Sequence, residues 1–213
     1  MNRYILRFYK HGNMRFISHL DLQTLFQRAI KRGEVKAAYS NGYNPHELMN
    51  IVQPLSLGFE GEEELLELDT LISYEPEDLI KRLNLALPEG IKFFSCEETE
   101  RKNQSTSCPT KSAEYTAVFN ENVSQNLRLK DFLDQSEITV LKRDKKTKSM
   151  VEKDVKAMII DIKTAENSVY LNLACGSNST VNPLAVLKSL FSFSCLEFNQ
   201  EECRITRIKL NRV

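Results

Sequence analysis

The chain has 213 residues, 41% of them hydrophobic and 27% charged, with 29 Lys/Arg balancing 29 Asp/Glu. This composition predicts a soluble globular protein of one large or two small domains. It holds no apolar run near the roughly 20 residues that span a bilayer. The first residues, Met1-Asn2-Arg3-Tyr4-Ile5-Leu6-Arg7-Phe8, lack the continuous apolar stretch of a signal peptide, so a cytoplasmic location is expected.

The five cysteines, Cys96, Cys108, Cys175, Cys195 and Cys203, contain no C-x-x-C pair and read as free thiols, with Cys175 and Cys195 as small core residues. Overall neutrality hides an asymmetry. Residues 1–50 carry eight Lys/Arg against three Asp/Glu, and residues 51–100 carry three against thirteen. Either a basic face lies beside an acidic one and steers an anionic partner, or the two sets neutralise each other once strands pair.

In chain order, Tyr4 to Lys10 alternates with period two and predicts a strand. Gly12-Asn13 turns the chain. Ser18, with Asp21 three residues on, opens a helix whose apolar stripe is Leu22, Leu25, Phe26, Ala29 and Ile30, and Gly33 stops it. Arg28, Lys31 and Arg32 occupy the polar side. Val35 to Tyr39 reads as extended, Asn41-Gly42 as a turn, and Leu48–Val52 and Leu65–Ile72 as strands. Glu75-Pro76-Glu77-Asp78 starts a second helix, and Ile91 to Ser95 is a fourth strand. The order β-α-β-β-α-β is the split βαβ pattern of a ferredoxin-like sandwich.

Residues 100–112 turn polar and aperiodic and read as a linker between a first domain, 1–99, and a second, 113–213. The second part predicts a strand Glu114–Phe119 and a short helix between Val123 and Leu133. A hairpin from Ile138–Lys142 and Met150–Val155 follows, then paired strands Ala157–Lys163 and Val169–Cys175. A helix capped by Asn182-Pro183 and a last strand Cys203–Leu210 complete it. The fold expected is therefore α+β, two tandem ferredoxin-like (βαββαβ) sandwiches, the second with an inserted β-hairpin.

Phe16-Ile17-Ser18-His19-Leu20-Asp21, then Tyr39-Ser40-Asn41-Gly42-Tyr43-Asn44-Pro45-His46 and Pro54-Leu55-Ser56-Leu57-Gly58, together resemble the opening of the radical-SAM-linked family. That family is a bacterial domain of unknown function, fused behind or encoded beside a B12-binding-type radical SAM protein. Asp154 and Asn182-Pro183 extend the likeness into the second half. Glu47 stands where the resemblance leads one to expect a second proline, and Gly61 where a serine is usual. The resemblance implies a radical SAM partner but no reaction. The chain itself lacks the C-x-x-x-C-x-x-C cluster motif.

His19 and His46 are the candidate catalytic pair, a general acid and base for metal-independent RNA cleavage, if they converge. The alternative for each is a local hydrogen-bonding role. RNA contacts are expected from Arg15, Arg28 and Arg32, and from stacking by Tyr39 and Tyr43 beside Asn44. The hairpin tip adds Arg143, Lys145, Lys146 and Lys148 for backbone phosphates. No phosphate-loop or dinucleotide spacing and no metal-ligand spacing occurs, so no cofactor or metal is expected. The leading expectation is a non-catalytic module that works with a radical SAM enzyme and binds or presents RNA such as tRNA or rRNA. The alternatives are a ribonuclease using His19 and His46, or a protein-only adaptor docking through the acidic stretch Glu60 to Asp69.

Overall fold

The computed structural model describes residues 1–99, 109–143, 149–176 and 180–212. The chain is mixed α+β, with mostly antiparallel strands and four α-helices among the described residues. It divides into two units, Met1–Pro109 with Arg207–Leu210, and Thr110–Thr206 with Asn211–Val213.

The first unit runs β1 (Asn2–Lys10), α1 (His19–Arg32), β2 (Met49–Val52), β3 (Glu60–Thr70), α2 (Pro76–Asn84) and β4 (Ile91–Thr99). Strand β1 lies between β4 and β3, and β2 pairs with β3, every pair antiparallel. Alternation sends Tyr4, Leu6 and Phe8 of β1 to one face, where they meet Leu22, Phe26 and Ile30 of α1 and Leu79 and Leu83 of α2. Phe8, Phe26 and Phe93 pack with ring centroids 4.9–5.6 Å apart. Each buried aromatic or aliphatic side chain of this kind contributes about 1.5–3 kcal/mol.

Helix α1 begins as the sequence predicts. Ser18 Oγ accepts from the Asp21 amide at 3.2 Å and donates to its Oδ2 at 2.7 Å. Strand β3 starts at Glu60, five residues before the predicted Leu65, because its acidic first half finds cations to face. Glu63 pairs with Arg7 at 3.1 Å and Asp69 with Arg3 at 2.7 Å, while Glu62 lies 3.1 Å from His11. Part of the charge asymmetry between residues 1–50 and 51–100 is thus neutralised across the β1–β3 ladder. The stretch from Glu60 to Asp69 is part of strand β3, with Glu64, Glu67 and Asp69 buried.

The second unit runs β5 (Thr110–Phe119), α3 (Leu129–Asp134), β6 (Thr139–Arg143), β7 (Met150–Asp154), β8 (Ile159–Ala165), β9 (Ser168–Ala174), α4 (Pro183–Phe193) and the two ends of β10 (Cys203–Arg212), whose Arg207–Leu210 belong to the first unit. Its sheet has the order β10-β5-β9-β8, and β6 and β7 form a separate two-stranded sheet. Strand β5 begins at Thr110, inside the stretch read as linker; Thr110 and Ser112 are buried and Ser112 pairs with Ala174. Helix α3 is shorter than predicted. Asn122 Oδ1 accepts from the Ser124 amide and hydroxyl at 3.2 and 3.0 Å, an Asx turn that competes with helix at that point. Asn182 caps α4 through the Leu184 amide at 2.9 Å, as predicted.

Cys96, Cys175, Cys195 and Cys203 are thiols and not disulfides. Cys175 is buried, but Cys195, expected in the core, is exposed at φ 58° just past the end of α4, where the left-handed turn carries it outward. Burial pushes the Cys203 thiol up to about 12. Burial, with the carboxylates of Glu77, Glu97 and Glu98, does the same for Cys96, so both stay protonated and unreactive at neutral pH. No helix among the described residues is long and apolar enough to cross a membrane.

Candidate nucleic-acid interface

The motif loop leaves the body at Ala38, whose amide donates to Asp69 O and whose carbonyl accepts from the Leu48 amide. Tyr39 and Glu47 face each other as an isolated bridge, and the Ser40 amide donates to His46 O at 2.9 Å. Ser40 Oγ accepts from the His46 amide at 3.1 Å and lies 2.9 Å from its Nδ1. This double clasp leaves Asn41 to Pro45 as the tip. Gly42 takes φ 130° there, a region closed to most side chains. Tyr43 and Asn44 project at the tip, Tyr43 fully exposed.

Glu47 joins this loop to α1. Its carboxylate is buried, accepts from Tyr39 Oη at 3.2 Å and lies 3.3 Å from Lys31 Nζ. Arg28, Lys31 and Arg32 sit at i, i+3 and i+4 on the exposed strip of α1. Lys31, one residue from Arg32 and three from Arg28, is thus the residue of α1 that meets the loop through Glu47, which also holds Tyr39. Sequence reasoning missed Glu47 as the organiser of this junction; the signal available was a carboxylate in place of proline after the histidine.

Arg15 stands apart. It lies 3.9 Å from Glu60, stacks its guanidinium 4.6 Å over the exposed Phe16 ring, and offers its carbonyl to the Gly58 amide. It belongs with the Pro54 to Gly58 motif at the start of β3. The loop instead hangs from Asp69 and Thr70 at the strand's far end, about 30 Å away at 3.3 Å per residue. His19 opens α1 at the Arg15 end, whereas Lys31, twelve residues and about 18 Å along the axis, holds the loop that carries His46. The structure does not bring His19 and His46 together. His19 is exposed at the helix start and His46 is engaged by Ser40. Lys145, Lys146, Lys148 and the side chain of Arg143 lie outside the described residues.

Beneath Arg15 is a buried ionic group. Arg207 donates from Nε to Glu64 Oε1 at 2.8 Å, from Nη2 to Glu64 Oε2, and from Nη2 to Gln53 O at 2.7 Å. Lys10, 2% exposed, reaches Arg15 O at 3.5 Å. Burial lowers the Lys10 pKa and the positive charge of Arg207 adds to this; Glu64 opposes both. Among the described residues no three His, Cys, Asp or Glu side chains gather as a metal-ligand set.

The family model described as "Uncharacterized protein conserved in bacteria (DUF2344)" matches residues 3–183. The chain belongs to that family. The match to DUF2344 begins in β1 and ends at the first residue of α4, so it takes in the motif loop, α1, the β1–β3 ladder and the hairpin β6–β7. No curated protein matches the chain.

Proposed function

We propose that the protein is a non-catalytic RNA-binding module that works with a radical SAM enzyme. The observation that carries the RNA reading is the Glu47 junction, which joins Lys31 of the cationic strip to Tyr39 at the base of a loop whose tip exposes Tyr43 and Asn44. A positive strip contacts backbone phosphates and an unpacked ring stacks on an unpaired base, the two halves of single-strand recognition. The radical SAM partner rests on the resemblance of the Phe16–Asp21, Tyr39–His46 and Pro54–Gly58 motifs. The reading of each unit as a ferredoxin-like sandwich draws support from two matching strand orders. The first is β4-β1-β3 with β2 beside β3, and the second is β10-β5-β9-β8. The separation of His19 from His46 argues against acid–base cleavage by that pair.

Titration with single-stranded RNA at rising salt tests the RNA reading. Binding is expected at low salt, with log K falling linearly as log salt rises. No binding at 50 mM salt, or binding indifferent to salt, overturns it. Recovery of a radical SAM protein with the chain after RNase treatment is expected of the partner, and its absence from such complexes removes that half of the proposal.

A further inference from the structure

The sheet of the second unit carries a group that the RNA reading does not use. Along β5, β9 and β8, alternation turns Tyr115, Leu171 and Ile162 into the core and Glu114, Asn172 and Asp161 to the opposite face. Asn172 stands directly across from Glu114 in one ladder and from Asp161 in the other. Side chains paired in this way have Cβ atoms about 4.5–5.5 Å apart, so the amide sits between two carboxylates.

Asn172 Oδ1 is buried and has no hydrogen-bond partner. Buried acceptors in that state are few in folded proteins, and each calls for a cause. Here the side chains that face it across both ladders are themselves acceptors. Glu114 Oε1 accepts from Asn211 Nδ2 at 2.9 Å, and Tyr170, two residues before Asn172 on the same face, bonds to the same carboxylate. Burial raises the Tyr170 pKa, and the bond to Glu114 with the charges of Glu114 and Asp161 adds to this, so both carboxylates act on one spot. Asp161 Oδ2 lies 2.6 Å from Lys163 Nζ, whose side chain is 73% exposed.

We propose that Asn172, Glu114 and Asp161 bind a hard divalent cation of calcium size. A cation supplies what a buried carbonyl between two carboxylates lacks: it takes the place of the missing donor to Oδ1 and offsets both negative charges. All three ligands are oxygens, with no imidazole or thiol among them, which selects calcium or magnesium over zinc and copper. Calcium accepts about six to eight oxygens in flexible geometry, with carboxylates binding through one oxygen or two, whereas magnesium demands a near-ideal octahedron. Three side chains rising from adjacent strands suit calcium, with water completing its shell. Lys163 gives up Asp161 to the ion and turns into solvent, where most of its side chain already lies. With only two carboxylates, a dissociation constant of about 0.1–1 mM is expected.

Calcium titrated into the full chain by isothermal calorimetry, with circular dichroism melts in calcium and in EDTA, tests this. Expected are saturable binding and a melting temperature that calcium raises. Asn172→Asp should tighten calcium about tenfold by adding ligand charge and should make the melt more calcium-dependent, which a purely hydrogen-bonding Asn172 does not predict. Asn172→Leu should weaken binding about tenfold. Lys163→Ala removes an exposed competitor for Asp161 and should tighten calcium about threefold; it stands as the readout if an Asn172 variant does not fold. Terbium bound in place of calcium is excited through tyrosine in this chain without tryptophan, and its luminescence should fall with Tyr170→Phe. No calcium binding at about ten times the expected dissociation constant, affinity unchanged by Asn172→Asp and Lys163→Ala, tighter binding of magnesium than of calcium, or terbium luminescence indifferent to Tyr170→Phe each overturns the proposal.

Discussion

Lys31 Nζ lies 3.3 Å from Glu47 Oε1, and this pair fastens the last turn of α1 to the base of the motif loop. Glu47 is 3% exposed and Lys31 is mostly in solvent, so the carboxylate does the positioning and the lysine is screened. Replacing Glu47 by alanine leaves the loop without its anchor. RNA affinity should fall by roughly the loss of one stacked base, about 1–3 kcal/mol. Lys31→Ala should change thermal stability by less than about 1 kcal/mol. Fluorescence anisotropy with labelled RNA and thermal melts measure the two effects separately.

The strip and the tip should fail in different ways. If the proposed RNA reading holds, Arg28→Ala and Arg32→Ala should each flatten the slope of log K against log salt by about 0.7 for single strands. Tyr43→Ala should weaken binding by about 1–3 kcal/mol and leave that slope unchanged, because stacking releases no counterions. Titrations of the three variants at four salt concentrations decide it; a changed slope in Tyr43→Ala refutes the stacking role.

Glu64 and Arg207 are 1% and 3% exposed, so removing one partner takes from the other buried charge its hydrogen-bonded counter-ion. Arg207→Met should destabilise the fold by about 3–5 kcal/mol, and Glu64→Leu added to it should recover most of the loss. Urea denaturation of the single and double variants provides the cycle.

Lys10 shares that buried group and carries a lowered pKa, with burial as the main cause. The unfolded chain then binds a proton that the folded chain holds less tightly, so stability should rise with pH between the folded pKa and the ordinary lysine value of 10.5. Lys10→Met should abolish this rise and stabilise the protein at neutral pH. Denaturation midpoints at pH 7 and pH 10 for both proteins check the sign.

Asp154 Oδ1 accepts from the Ile138 and Lys156 amides at 3.0 Å each, and those two bonds, in that reverse order of weight, hold its carboxylate below the ordinary range. The hairpin base is therefore expected to loosen as pH falls through that lowered value, since the bonds favour the charged form. Asp154→Ala should raise hydrogen exchange at the Ile138 amide and leave β9 protected, which exchange measured by NMR would report.

Local sequence decided most of the elements. The Ser18–Asp21 cap, the Leu22–Ile30 stripe, the Asn182-Pro183 cap and the alternation of Tyr4 to Lys10 each rest on neighbours within four residues, where propensity and periodicity act directly. The same reasoning placed Tyr43 and Asn44 in the motif loop. It failed where a residue's environment came from far along the chain. Glu60 to Glu64 look like a solvated acidic run, yet Arg7 and Arg207 turn them into a paired strand. Cys195 looks apolar by its neighbours, yet the turn after α4 exposes it.

The amino-acid order by itself determined which segments are helix and strand, since hydrogen bonding and apolar period are set over a few residues. Only the tertiary structure decided that His19 and His46 lie at opposite ends of α1, that Glu47 joins Lys31 to Tyr39, and that Asn172 lies between Glu114 and Asp161. Those relations depend on register between strands and on buried charges finding partners 56 to 143 residues away, distances over which no local pattern carries information.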